Sequence, residues 1–279
     1  MNKIKIAVSA ALGMISLAVS SYGQVTISMS DGDMLLGFRT ANAPGNTLNL
    51  EVDLGSFSQF TLMNGSSFFL PQLSVLDLQG TYGAGTAWQR SDLFWSIGAS
   101  SFNPVPGLPD QSFFETSVSN GNPSTIFRRQ IAGLQQGVAQ NMDGAISGLN
   151  GSTSTTNSNF AALIPITGNS YDFNIQTSGG FTRPWGAGSA SLMTFANVEN
   201  TTNIGGTGLG FVSSDLYELL PTTSGTANAV KLGTFELFSN GTLEFFSVIP
   251  EPSTYRMLAL GGTLLCGLMI LRRRRFVRN

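Results

Sequence analysis

The chain is predicted to fold as an all-β, sandwich-like ectodomain with a small helical insertion, set between an N-terminal signal peptide and a single C-terminal transmembrane helix. Three observations predict this. Of 279 residues, 42% are hydrophobic and 11% charged, and 33 are glycine. The surface must then be built from Ser, Thr, Asn, Gln and Gly, which suits an extracellular β module better than a helical cytosolic enzyme. Apolar and polar residues alternate with period two in several short segments, the pattern of half-buried strands. Finally, the two ends carry apolar stretches with basic flanks, so residues 1–23 and 249–279 bracket a body at 24–248.

The elements follow in order. Lys3 and Lys5 form a positive start, Ile6 to Val19 a weakly apolar stretch, and Ser21-Tyr22-Gly23 a small-x-small site with cleavage expected before Gln24. These are the parts of a secretory signal read by the Sec machinery and signal peptidase. About fourteen apolar-leaning residues are too few for a comfortable membrane span. In Thr47–Leu54, Leu48, Leu50, Val52 and Leu54 share one face, with Asn49, Glu51 and Asp53 on the other. Met34–Arg39, Asp92–Ile97, Phe113–Val118, Tyr171–Gln176, Leu192–Val198 and Leu216–Leu220 are further short strands. Thr234–Ser239 and Thr242–Val248 flank Asn240-Gly241, which suits a type I′ hairpin turn. Phe127, Ile131, Leu134, Val138 and Met142 recur at helical spacing. Ser124 would cap this helix and Gly144 would help to end it. Asn150–Asn159, nearly all Gly, Ser, Thr and Asn, reads as a solvated loop. No repeat of fixed period is present, against propellers and solenoids.

Charge and residue type exclude several chemistries. Residues 24–249 hold six bases and fifteen acids, a net of −9. An acidic body does not suit nucleic acid, whose phosphates need clustered Lys and Arg. There is no histidine, and the one cysteine, Cys266, lies in the C-terminal apolar run. That leaves no Ser-His-Asp triad, histidine-ligated zinc, thiol nucleophile or ectodomain disulfide. Neither a cofactor nor a metal site is expected. Asp31-Gly32-Asp33 lacks the further ligands of a calcium loop and reads as a turn. Gly205–Gly210 lacks the Lys-Ser/Thr ending of a phosphate loop. The Asn-Gly pairs at Asn64, Asn150 and Asn240 match glycosylation sequons but read as turns. Paired carboxylates, as in glycoside hydrolysis, are the remaining enzymatic route. Asp53, Asp77, Asp92, Glu115 and Asp172 are candidates by type alone. Trp88, Trp95, Trp185, Tyr82 and Tyr171 could form a sugar-stacking face, although aromatics in a β protein are more often core. Trp185, in the turn-like Arg183-Pro184-Trp185-Gly186, is the candidate for glycan contact.

The C-terminus is more specific. Pro250-Glu251-Pro252-Ser253-Thr254 leads through Arg256 into an apolar run, Met257 to Leu271, followed by Arg272, Arg273, Arg274 and Arg275. Fifteen residues at about 1.5 Å each reach roughly 22 Å, short of a hydrocarbon core of roughly 30 Å. The Arg block should stay cytoplasmic by the positive-inside rule. Lys3 and Lys5 hold the other end on that side, so the body faces outward.

This tail closely resembles the PEP-CTERM sorting signal of exported Gram-negative proteins from exopolysaccharide-producing bacteria. The resemblance implies an exosortase-like membrane enzyme as partner. It also implies cleavage near Pro250-Glu251-Pro252, transient membrane anchoring, then release or transfer to the cell surface or extracellular matrix. The match covers about thirty residues, and Arg256 departs from it, standing where the family usually continues with an apolar residue. In the body, Asp33–Arg39, Asn49–Phe60 and Arg90–Trp95 resemble phrases that recur in exported proteins bearing the same tail, a group without an assigned activity. The expected function is therefore a surface or matrix-associated structural or binding protein, with extracellular polysaccharide as a possible contact; the alternative is a carboxylate-dependent polysaccharide enzyme.

Overall fold

The alternation at Leu48, Leu50, Val52 and Leu54 places a strand, and the computed structural model has it as β2 (Leu48–Ser56). The structure describes residues 23–40, 42–62, 64–85, 87–103, 105–119, 128–129, 131–167, 169–171, 199–225 and 227–248. Within them, β1 (Asp33–Thr40), β2, β3 (Ser67–Phe69), α1 (Val75–Tyr82), β4 (Leu93–Ser101), β5 (Ser112–Val118) and β6 (Arg128–Arg129) precede α2 (Ala132–Leu149). Then come β7 (Ala161–Pro165), β8 (Asn200–Thr201), β9 (Phe211–Leu219), β10 (Ala227–Asn228), β11 (Val230–Phe238) and β12 (Leu243–Ser247). The mostly-β expectation holds. The expected strands Tyr171–Gln176 and Leu192–Val198 lie outside the described residues, apart from Tyr171. So do Ser124, Phe127, residues 1–22 and the tail from residue 249. Among the described residues no helix is long and apolar enough to cross a membrane.

One antiparallel sheet runs in the order β3-β12-β11-β9-β5-β4-β1-β2-β7, with β8 beside β4. Where a sandwich of two facing sheets was expected, there is no break. β5 pairs with both β4 and β9, and β1 with both β2 and β4, so the ladder is continuous across the middle. The sheet curls instead. Ala161 of β7 and Phe245 of β12, near opposite ends of that order, belong to one apolar core. Phe60, Phe235 and Phe245 meet in this core with ring centroids 4.8 to 5.5 Å apart. Each such ring removed from water contributes roughly 1.5–3 kcal/mol.

The second face is covered too, which changes what alternation means here. Val138, Met142, Ile146 and Leu149 of α2 pack against Leu35, Phe113, Ile164 and Leu219. Consequently Asn49, Glu51 and Asp53, read as the solvent face of their strand, are buried. Period two reported which face each residue takes but not that α2 roofs the second face over β1, β2, β4, β5 and β7.

Two local expectations are corrected. α2 starts at Ala132 and runs through Gly144 to Leu149. Arg128 and Arg129 are extended, paired with Asn228 and Ala227, and Ile131 bridges Thr222 and caps the helix rather than joining it. Gly144 disfavours a helix interior by about 1 kcal/mol, but Ala145, Ile146 and Leu149 beyond it bury against the sheet. The β11–β12 hairpin forms with Leu237 opposite Leu243. Its turn is not type I′, because only Gly241 has positive φ, at 84°. Gly241 N–H donates to the Phe238 carbonyl and Phe238 N–H to the Thr242 carbonyl, both at 2.9 Å, the pattern of a three-residue loop closed by a glycine bulge. The Asn240 side chain accepts from Thr242 N–H at 2.9 Å.

Candidate functional site

A concavity lies at the β7 end of the sheet, where α1 faces the 153–157 segment. α1 begins after Ser74 and puts Asp77 in its first turn, where a carboxylate favours the helix dipole. Asp77 is 6% exposed. Its Oδ2 accepts from Thr155 Oγ1 and its Oδ1 from Asn157 Nδ2, both at 2.7 Å. The helix thereby holds the opposite wall in place. The wall has further anchors: Ser154 N–H donates to the Val25 carbonyl at 2.8 Å, Thr155 N–H to the Ala161 carbonyl at 2.7 Å, and Ser158 Oγ to the Gln72 carbonyl at 2.6 Å. The expected solvated loop is thus a braced wall with Ser154 and Ser158 buried. The cleft between measures about 530 Å³. Exposed Thr47, Thr153 and Thr156 give it hydroxyls, and Leu48, Leu76 and Leu163 give it apolar patches. Among the described residues, Asp77 is the one ionisable side chain in its lining.

The other carboxylate candidates are elsewhere. Asp53 accepts from Gly55 N–H at 2.7 Å, and burial pushes its carboxyl up to about 6. Asp92 is held by a two-bond fork from Arg90, Nε to Oδ1 at 2.9 Å and Nη2 to Oδ2 at 2.7 Å. That hydrogen bonding keeps its carboxyl well below the usual range. Arg90 also donates to the carbonyls of Asn42, Pro44 and Tyr82, tying the β1–β2 loop to the end of α1. Glu115 is fully buried on β5. Asp172 lies outside the described residues. None of the four described candidates is hydrogen-bonded to another.

A buried polar layer on the α2 side of the sheet was not anticipated. Arg39 donates to Glu199 through Nε and Nη2, and its guanidinium lies 5.1 Å from the Phe94 ring centroid. Tyr171 hydroxyl hydrogen-bonds Ser96 Oγ at 2.6 Å and Glu199 Oε1 at 3.0 Å, and its N–H donates to Glu51 Oε1 at 2.8 Å. The ring lies across Gly37, where a Cβ would fall inside it. Among the described residues, Glu51 Oε2 and Glu115 Oε2 have no hydrogen-bond partner. Burial pushes the Glu51 carboxyl up to about 8 and the Glu115 carboxyl well above its ordinary value, the latter also repelled by Glu199. Both are fully shielded from solvent, so they meet no dissolved substrate.

The aromatic candidates divide between core and undescribed chain. Trp88, Trp95, Tyr82 and Tyr171 are buried and form no surface platform. Tyr82 hydroxyl instead accepts from Leu50 N–H at 2.9 Å and donates to the Phe38 carbonyl at 2.8 Å, linking α1 to β1 and β2. Trp185 lies outside the described residues, as do Pro250, Glu251, Pro252, Ser253, Thr254 and Arg272–Arg275. Asp31-Gly32-Asp33 forms its turn, with Gly32 at φ 86° and Ser30 N–H donating to Asp33 Oδ2 at 2.7 Å. Gly65 and Gly151 have positive φ, as Asn-Gly turns require. Sequence reasoning missed Leu76 and Leu163. The hydroxyl-rich run 150–159 was a signal for Thr153 to Asn157, whereas nothing in the sequence joins it to α1.

Comparison of the chain with protein-family models, with curated proteins and with solved structures finds no match.

Proposed function

We propose that this chain is an exported protein delivered by a PEP-CTERM-type tail to the cell surface or extracellular matrix, where its body binds or scaffolds rather than catalyses. The order Pro250-Glu251-Pro252, a short apolar run and Arg272–Arg275 carries the reading. A run of about 22 Å makes a poor permanent anchor and suits a segment that an exosortase-like enzyme removes. The body also supports it. β12 ends at Ser247, and Val248 N–H still donates to the Leu232 carbonyl at 2.9 Å. The motif follows directly, so cleavage there would leave the described core whole. A binding role is supported by the cleft, whose single carboxylate among the described residues has both oxygens engaged. Hydrolysis by paired carboxylates needs a second one about 5–9.5 Å away.

Intact-mass measurement of the mature protein from exosortase-positive cells tests this reading. The expected chain starts at Gln24 and ends near Pro250-Glu251-Pro252. Recovery of the protein with Met257–Asn279 still attached refutes the processing step.

A further inference from the structure

We infer that the cleft between α1 and the 153–157 wall binds a segment of neutral polysaccharide. This rests on the matrix reading above and specifies the ligand's chemistry and its place. The volume, about 530 Å³, falls in the roughly 300–1,000 Å³ range of ligand pockets. The lining combines hydroxyls with apolar side chains, as a sugar chain combines C–H faces and hydroxyl edges. Thr47, Thr153 and Thr156 are exposed there, while Leu76 and Leu163 are 50% and 40% exposed within the same hollow. A side chain of that kind left half in water is unremarkable alone, but two facing one braced cleft make a defined apolar step.

Charge decides against an acidic polymer. Among the described residues no Lys or Arg lines the cleft, whereas Asp77 does. An anionic sugar would meet a like charge with nothing to pair it. The register also leaves polar backbone at the rim. β7 ends the sheet order, and its residues alternate between facing β2 and facing away. Phe160 and Ile166 bond toward β2, through Asp53 N–H and the Thr47 carbonyl. Leu163, three residues from each, therefore turns its N–H and carbonyl outward. Rigidity favours binding, because a wall already fixed by Asp77, Val25, Ala161 and Gln72 has little ordering entropy left to lose.

Gly80 supplies the test. It lies on α1 in the lining, and a Cβ built there meets nothing within 4 Å. Gly80→Trp should fill the cleft while keeping the helix, since any residue but proline is a better helix former than glycine. Leu76→Glu, in the first turn of α1, adds charge at the cleft where the helix dipole tolerates it. Gly133→Trp on α2, equally unobstructed and exposed, is the matched control. The purified mature chain and each variant are run in native gels containing the neutral or the acidic fraction of the producing cell's extracellular polysaccharide. Circular dichroism confirms that each variant is folded.

The expected result is retardation of wild type and Gly133→Trp by the neutral fraction, with at least tenfold weaker retardation for Gly80→Trp and Leu76→Glu. Equal retardation of all four places binding elsewhere and overturns the cleft, leaving the matrix reading intact. Retardation by the acidic fraction alone overturns the neutral chemistry. Retardation by neither overturns the inference, while the sorting reading is decided separately by the mass of the tail.

Discussion

Glu51 is a carboxyl that folding forces to stay protonated, and replacing it with glutamine should remove a pH dependence that wild type must show. Burial lifts it from 4.5 to about 8 in the folded chain. The folded state then holds a proton that the unfolded state has released, so stability falls as pH rises from about 4.5 to about 8 and is level beyond. At about 1.4 kcal/mol per pH unit the full loss is roughly 4–5 kcal/mol. Glutamine never ionises, and its Oε1 can keep the bond from Tyr171 N–H. Its amide nitrogen takes the place of Oε2, which has no partner, at a pH-independent cost of about 1–3 kcal/mol. Glu51→Gln should therefore be the less stable protein at pH 5 and the more stable one at pH 8.5. Urea unfolding followed by the fluorescence of buried Trp88 and Trp95 across that range measures both curves. Glu115, raised for the same reason, adds its own slope to each, so the difference between them is the quantity to read. Parallel curves would show Glu51 ionised in the folded chain and refute the reasoning.

Three further outcomes follow from single contacts. Tyr82→Phe removes a hydroxyl that satisfies Leu50 N–H and the Phe38 carbonyl inside the core; about 1–3 kcal/mol should be lost in urea unfolding. Gly37→Ala drives a methyl into the Tyr171 ring and should cost about 1–3 kcal/mol by overpacking, whereas Gly133→Ala, with open space around it, should be neutral or stabilising. Replacing Pro250-Glu251-Pro252 with three alanines should leave the tail attached in exosortase-positive cells, visible as an added mass covering Met257–Asn279; normal trimming would show that the motif is not what is recognised.

The strands that could be read in advance are those whose partners demand strict alternation. Met34, Leu36 and Phe38 of β1 and Leu93, Trp95 and Ile97 of β4 all point into one core. Period two reports such an environment directly. α1 was missed for the same kind of reason. Its eight residues bury Asp77, Leu78 and Tyr82, too few turns to establish a helical stripe. β3 and β7, with three and five residues, owe their existence to a neighbouring strand rather than to their own pattern. The candidate site was the least legible part. Asp77 was singled out by residue type, but its partners Thr155 and Asn157 are 78 and 80 residues away.

Taken alone, the sequence determined a β-rich body without histidine, its one cysteine in the C-terminal apolar run, set between two apolar ends with basic flanks. Those features depend on composition and local order, which need no knowledge of the fold. The tertiary structure alone decided that ten strands join in one curled sheet and that α2 covers its second face over β1, β2, β4, β5 and β7. It also decided that Asp53, Asp77, Asp92 and Glu115 do not come together, with Asp77 at an open cleft and Glu115, like Glu51, sealed away. Burial and proximity arise from contacts between residues far apart in the chain, and those contacts exist only once the sheet has assembled.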